Sequence, residues 1–167
     1  MRTRPVRSSI RPSINPEVRS ELLARARSAA QYAYAPYSEF PVGAAALSSD
    51  GSIHVGCNVE NASYGLTICA ERAAVSAAVG AGHRQIIAVA VSAPNASRTT
   101  PCGACRQFLN EFRPGATDMM IVLDDHSEGE SVWLDELLPQ AFGPRNLVTA
   151  PQAADAKATT RRGDHGS

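Results

Sequence analysis

The chain has no run of apolar residues near the ~20 that a bilayer-spanning helix needs, and its start lacks the apolar core of a signal peptide. It lacks an excess of either charge as well. Sixteen basic residues cancel sixteen acidic ones, so no net field would gather nucleic acid or an anionic membrane. Aromatic residues are only 5% of the chain and form no aromatic-basic pattern of the kind that grips single-stranded nucleic acid. Four cysteines are too few for a disulfide scaffold and fit thiols kept reduced, which points to the cytoplasm. There is no internal repeat. These absences leave a small neutral molecule as the natural partner.

What is present is one domain's worth of globular sequence: 167 residues, 44% hydrophobic and 19% charged. Residues 1–14 hold Arg2, Arg4, Arg7 and Arg11 with no acid and read as a disordered basic arm. A short transit peptide is the weaker alternative. Residues 15–147 form the domain, and 148–167, rich in Ala, Thr, Gln and charge, read as a disordered tail. Asn15-Pro16-Glu17 is a helix start, with Asn as cap, Pro in the first turn and Glu at the positive end; Val18, Leu22, Ala26, Ala29 and Ala30 then recur at helical spacing, to about Ala33. Phe40 to Leu47 and Ile53 to Val59 flank Ser-Ser-Asp-Gly-Ser and predict a hairpin. Ala70 to Ala78 predicts a helix stopped by Gly80 and Gly82, and Gly103 to Phe112 a second. Ile86 to Val91 and Met119 to Leu123 are continuous apolar runs, hence buried strands. Ser131 to Trp133 supplies a fifth short strand and Leu134 to Leu138 a helical turn.

Three of the four cysteines carry the chemistry. Cys102 and Cys105 are three apart, so at the start of a helix both sulfurs reach one side of a single turn. Cys69 must arrive from another element, 33 residues away, about the length of a helix, a strand and a connection. Three thiolates close three corners of a zinc tetrahedron and leave the fourth to water, which marks a catalytic rather than a structural ion. Glu71, two residues past Cys69, can sit over the open corner as a proton shuttle. Cys57 belongs to a different strand and reads as a small buried hydrophobe, while His54, His83, His126 and His165 fall in no ligand spacing.

Cys69-Ala70-Glu71 with Pro101-Cys102-Gly103-Ala104-Cys105 matches the C-x-E … P-C-x-x-C signature of zinc base deaminases, whose Glu is acid and base but not ligand. Here the sequence resembles the cytidine deaminases. Tyr37 to Ala44, Gly56 to Gly65, Cys69 to Arg72, Cys102 to Gln107, Glu136 to Pro139 and Phe142 to Pro144 look like that family in the same order, so the resemblance runs from about Pro16 to Pro144. It implies a three-layer α/β/α fold with a five-stranded mixed sheet, and zinc-dependent hydrolysis of cytidine and 2′-deoxycytidine in pyrimidine salvage. It further implies that Asn58 and Glu60 bind the ribose hydroxyls, that Phe40 and Ala70 contact the substrate, and that Arg72 offsets thiolate charge. Tyr64 and Phe142 would serve a neighbouring subunit's site in a homotetramer.

Two other readings stay open. One is a deaminase of a cytosine nucleoside antibiotic such as blasticidin S. The other is a non-catalytic zinc-stabilised binding module, which would have no need of Glu71.

Overall fold

In this computed structural model, residues 9–147 are described; the first eight residues of the expected arm and the expected tail lie outside that range. Helix α1, Pro16–Ala30, starts where the Asn15 side chain accepts the Glu17 N–H at 2.8 Å, satisfying a donor the first helical turn leaves free. It ends before Ala33 because the chain is drawn into extended pairing: Tyr34 N–H donates to the Asn58 carbonyl at 3.0 Å, and Glu60 N–H to the Tyr34 carbonyl at 2.8 Å.

Strands β1, Gly43–Ser48, and β2, Ile53–Cys57, form the antiparallel hairpin. Both are shorter than the apolar runs suggest. At their open end the Asn58 side chain replaces ladder bonds, donating to the Phe40 carbonyl and accepting from Val42 N–H. Helix α2, Ala70–Gly80, strand β3, Ile86–Ser92, helix α3, Gly103–Glu111, and strand β4, Met120–Leu123, follow. Strand β5, Glu130–Trp133, leads directly into the one-turn helix α4, Leu134–Leu137.

The sheet has five strands in the order β2-β1-β3-β4-β5. Only β3 and β4 run parallel, joined by α3 as the crossover; every other pairing is antiparallel, so the sheet is mixed. Leu22, Leu23 and Ala26 of α1 pack on Ala45, Leu47, Ala88, Ala90 and Val122 on one face. Ala74, Val75 and Ala78 of α2, with Leu109 of α3, pack on Ala44, Ala46, Val89, Val91 and Ile121 on the other. The three-layer sandwich explains why β3 and β4 read as unbroken apolar runs: both of their faces are covered.

Small residues let both α1 and α2 approach the sheet closely. A Cβ at Gly56 would lie 2.4 Å from the Ala74 nitrogen, and one at Gly43 would lie 2.1 Å from the Ala26 carbonyl oxygen. Alanine-rich β1 and α2 serve the same close packing.

Residues Ser9–Ile14, expected within a disordered arm, instead lie on the domain. Ile10 N–H donates to the Ala116 carbonyl at 3.1 Å, and its own carbonyl accepts from Asp118 N–H at 2.8 Å. Arg11 pairs with Glu136 at 2.5 Å and lies over the Trp133 ring, and Ser9 hydrogen-bonds Asp135. An acid-free segment looks unsupported when read alone; its carboxylate partners lie more than 100 residues further along the chain. Cys57 also departs from expectation. It is half-buried, and its thiol donates to the Tyr32 carbonyl at 3.3 Å. No helix among the described residues is long and apolar enough to cross a membrane.

Candidate active site

Helices α2 and α3 start side by side, each capped by a cysteine. Cys69 is the N-cap of α2 and Cys102 the N-cap of α3, each with extended backbone, while Cys105 lies within the first turn of α3 and is fully buried. Neither N-cap thiol makes a capping hydrogen bond, so both sulfurs are free to turn toward each other. The three Sγ atoms lie within 4.8 Å of one another, with Cys69 and Cys102 at 4.0 Å. Zinc bound to thiolates at about 2.3 Å in a tetrahedron requires sulfurs about 3.8 Å apart, so the cluster already has the dimensions of a zinc site. Three soft donors, with no further cysteine, histidine or carboxylate joining the group among the described residues, also suit zinc with one position left over.

The electrostatics are uneven. Hydrogen bonds from Cys105 and then Arg72 lower the Cys69 thiol to about 5, so it is a thiolate at neutral pH. Cys105 moves the other way, held protonated by its bond to Cys69, by burial and by the facing charge of Glu71. A seated cation would remove that conflict by taking all three sulfurs as thiolates. Two helix N-termini, each equivalent to roughly +0.5 charge, offset part of the thiolate charge.

Arg72 supplies more. Its Nη2 donates to the Thr67 carbonyl at 2.8 Å and lies 3.7 Å from Cys69 Sγ, and its buried Nε finds no partner among the described residues. Glu71 is 4% exposed. Burial first, and the nearby Cys69 thiolate second, raise its carboxyl above the usual range, which suits a group that must both accept and release a proton. Ala70, between Cys69 and Glu71, is fully buried.

The other expected residues fall around the loop that precedes β1. Asn58 and Glu60 lie just past the end of β2, on extended backbone that pairs through Val59 with Tyr34 and Ile68. Asn58 is not solvent-facing but 8% exposed, with its amide partly spent on Phe40 and Val42. Glu60 accepts from the N–H groups of Tyr37 at 2.8 Å and Ser38 at 3.2 Å, and is held ionised by Ser38 first and Tyr37 second. A cleft of about 360 Å³ opens there, lined by Tyr37, Ser38, Glu60, Tyr64 and Thr67. Tyr64 packs edge-on against Tyr37 with ring centroids 6.1 Å apart.

Phe142 is not part of this cleft. It lies beside α3, exposed, with its carbonyl accepting from Gln107 at 2.9 Å and Asn110 at 3.0 Å. Sequence reasoning did not single out Tyr37, Ser38 or Thr67 as site residues. Tyr37 and Ser38 stand within the Tyr37 to Ala44 stretch, but part of what they do here, and the Thr67 contact to Arg72, runs through backbone groups, which any residue type could supply.

A thiol-rich metal centre at paired helix N-termini, with a buried carboxyl beside it, defines a metal-dependent hydrolytic site. Comparison with known proteins gives the family. Residues 16–121 match the model for the cytidine and deoxycytidylate deaminase zinc-binding region. The chain is 42% identical over 132 residues to a cytidine deaminase of Sporosarcina psychrophila, covering 79% of this chain and 96% of that one. It is 47% identical over 126 residues to one from Mycobacterium tuberculosis, covering 75% and 90%. A crystal structure of cytidine deaminase from Burkholderia pseudomallei superposes with a TM-score of 0.67 at 44% identity, over 73% of this chain and 97% of that one. The chain belongs to the cytidine and deoxycytidylate deaminase family, and is thereby a zinc-dependent hydrolytic deaminase.

Proposed function

We propose that the chain converts cytidine and 2′-deoxycytidine to uridine and 2′-deoxyuridine with release of ammonia, as a step of pyrimidine salvage in the cytoplasm. The observation that carries this reading is the buried carboxyl of Glu71 beside three sulfurs of zinc-site dimensions. The similar proteins named above are cytidine deaminases, which supports cytidine as the substrate class.

Cys69, Cys102 and Cys105 would hold the zinc, which when bound lowers the pKa of a water and makes it a nucleophile at neutral pH. Glu71 takes the water's proton and passes it to N3 of the cytosine ring as the bond from oxygen to C4 forms. The proton left on the new C4 hydroxyl then travels through Glu71 to the amine nitrogen. The C4–N bond breaks, and ammonia leaves a C4 carbonyl with N3 protonated, which is uridine. Arg72 keeps Cys69 anionic during this traffic. Phe40 and Ala70 bound the pyrimidine, while Asn58 and Glu60 hydrogen-bond the ribose hydroxyls, the ionised Glu60 as an acceptor.

The active form is a homotetramer in which Tyr64 and Phe142 complete a neighbouring chain's site. Their exposure supports this: 75% for Tyr64 and 59% for Phe142, both unusual for large aromatic side chains. Ammonia release from cytidine, measured beside metal content and mass by light scattering, tests the whole reading. Zinc-loaded protein that releases no ammonia from cytidine would overturn it.

A further inference from the structure

The loop that carries Phe40 is held from two sides. On one side the segment after β2 holds it: Asn58 Nδ2 donates to the Phe40 carbonyl at 2.9 Å, and Glu60 accepts from Tyr37 and Ser38 N–H. On the other, Asn95 Nδ2 donates to the Glu39 carbonyl at 3.2 Å. Glu39 immediately precedes Phe40 and stands at φ 53°, in the left-handed region that a residue with a Cβ rarely adopts. Its N–H donates to the Ala35 carbonyl at 3.1 Å, so both of its backbone polar groups are engaged. The backbone step that sets the direction of Phe40 is thus the least favourable one in the loop, and Asn95 holds one end of it.

Asn95 is itself well placed to act as an anchor. It occupies a tight turn, Ala93-Pro94-Asn95-Ala96, closed by Ala96 N–H to the Ala93 carbonyl at 3.0 Å. Pro94 presets φ at the second position of that turn. The turn opens the connection between β3 and α3, whose far end is Pro101-Cys102. Arg98 N–H, midway along, donates to the Asp124 carbonyl at 2.6 Å and fixes the connection to the end of β4. Among the hydrogen bonds of the described residues, the one from Asn95 is the link between this cysteine-bearing connection and the Phe40 loop.

We propose that Asn95 is a positioning residue for the deamination: it ties the connection that delivers Cys102 to the left-handed Glu39, and so fixes the Phe40 ring relative to the metal centre. This rests on the reading that Phe40 lies against the pyrimidine. The bond is solvent-exposed, so its effect is on orientation rather than on global stability.

The test is a double-mutant cycle on the zinc-loaded enzyme with cytidine. Asn95→Ala, and Asn95→Asp, which keeps the shape but loses the donor, should each raise KM about 3–10-fold while kcat stays within about twofold. Zinc content and Tm should stay at wild-type values. In a Phe40→Ala background, Asn95→Ala should raise KM no further. Unchanged KM in both Asn95 variants, beside an impaired Phe40→Ala, overturns this proposal and leaves the substrate reading intact. An equal rise in KM with and without Phe40 also overturns it. Wild-type KM in Phe40→Ala removes the placement of Phe40 at the base, and the positioning role falls with it.

Discussion

The sulfurs of Cys69 and Cys102 lie 4.0 Å apart although 33 residues separate them in the chain. That proximity is produced by two helix starts meeting on one face of the sheet, and Cys105 joins it from within the first turn of α3. The purified protein should therefore carry about one zinc per chain. Cys69→Ala, Cys102→Ala and Cys105→Ala should each lose the metal, whereas Cys57→Ala, whose thiol points at the Tyr32 carbonyl, should keep it. Elemental analysis after gel filtration reads the difference, and full zinc retention in Cys102→Ala would sink the assignment.

Glu71→Gln should retain zinc and fold but lose turnover. The amide has nearly the carboxyl's shape and cannot cycle a proton, and general acid–base work alone is typically worth about 10²–10⁴ in rate. Ammonia release together with metal content separates a chemical defect from a folding one. A variant with wild-type kcat would exclude Glu71 as the proton carrier.

The metal motif was legible because its chemistry is tied to residue type: three thiols at that spacing can close three corners of a zinc tetrahedron, with a glutamate two residues past the first of them. Most elements were legible too, since Asn15-Pro16 announces α1 and strands buried on both faces leave unbroken apolar runs such as Ile86 to Val91, within β3. What escaped depends on long-range pairing. Arg11 has no visible reason to be ordered until Glu136 and Trp133 are brought beside it. The ends of β1 and β2 were overrun because the Asn58 side chain takes the place of ladder bonds, an exchange that hydrophobic pattern does not record. Thr67 serves through its carbonyl, which has no sequence signature.

Gly56 sits where β2 passes under α2, and nothing larger fits. A methyl there would meet the Ala74 nitrogen at 2.4 Å and the Ala73 carbonyl carbon at 2.8 Å, both backbone atoms that cannot rotate away. Gly56→Ala should destabilise the fold by about 1–3 kcal/mol or more. Because α2 would have to lift, and its first residues carry Cys69 and Glu71, zinc affinity should fall with stability. Gly80→Ala is the control: its Cβ meets nothing within 4 Å, and alanine suits the end of a helix better. Thermal unfolding of the two variants should move in opposite directions; equal behaviour would show that α2 adjusts freely over β2.

Asp124 offers a pH-dependent test of what locks α1 to the end of β4. Its carboxylate is almost fully buried, accepts both Nε and Nη2 of Arg27 at 2.9 and 2.6 Å, and takes a third bond from Ser92 Oγ at 2.7 Å. The Arg27 bond, more than any other cause, lowers the carboxyl to about 2. An unfolded aspartate titrates near 3.9, so the charged form is favoured in the fold, and the difference is worth about 2–3 kcal/mol. The sign follows from that lowering: the stabilisation is fully present above about pH 5, declines as pH falls through about 4 toward the folded value of about 2, and is gone by about pH 1. Asp124→Asn should lower stability at pH 7 by roughly this amount. The gap between wild type and variant should narrow as pH falls from about 5 to about 3, because the unfolded wild-type carboxyl takes up a proton there while the folded one stays ionised. Urea unfolding midpoints of both proteins at pH 7, 5, 4 and 3 would measure it, and a gap that stays constant across that range would show that the Arg27–Asp124 charge pair contributes nothing to stability.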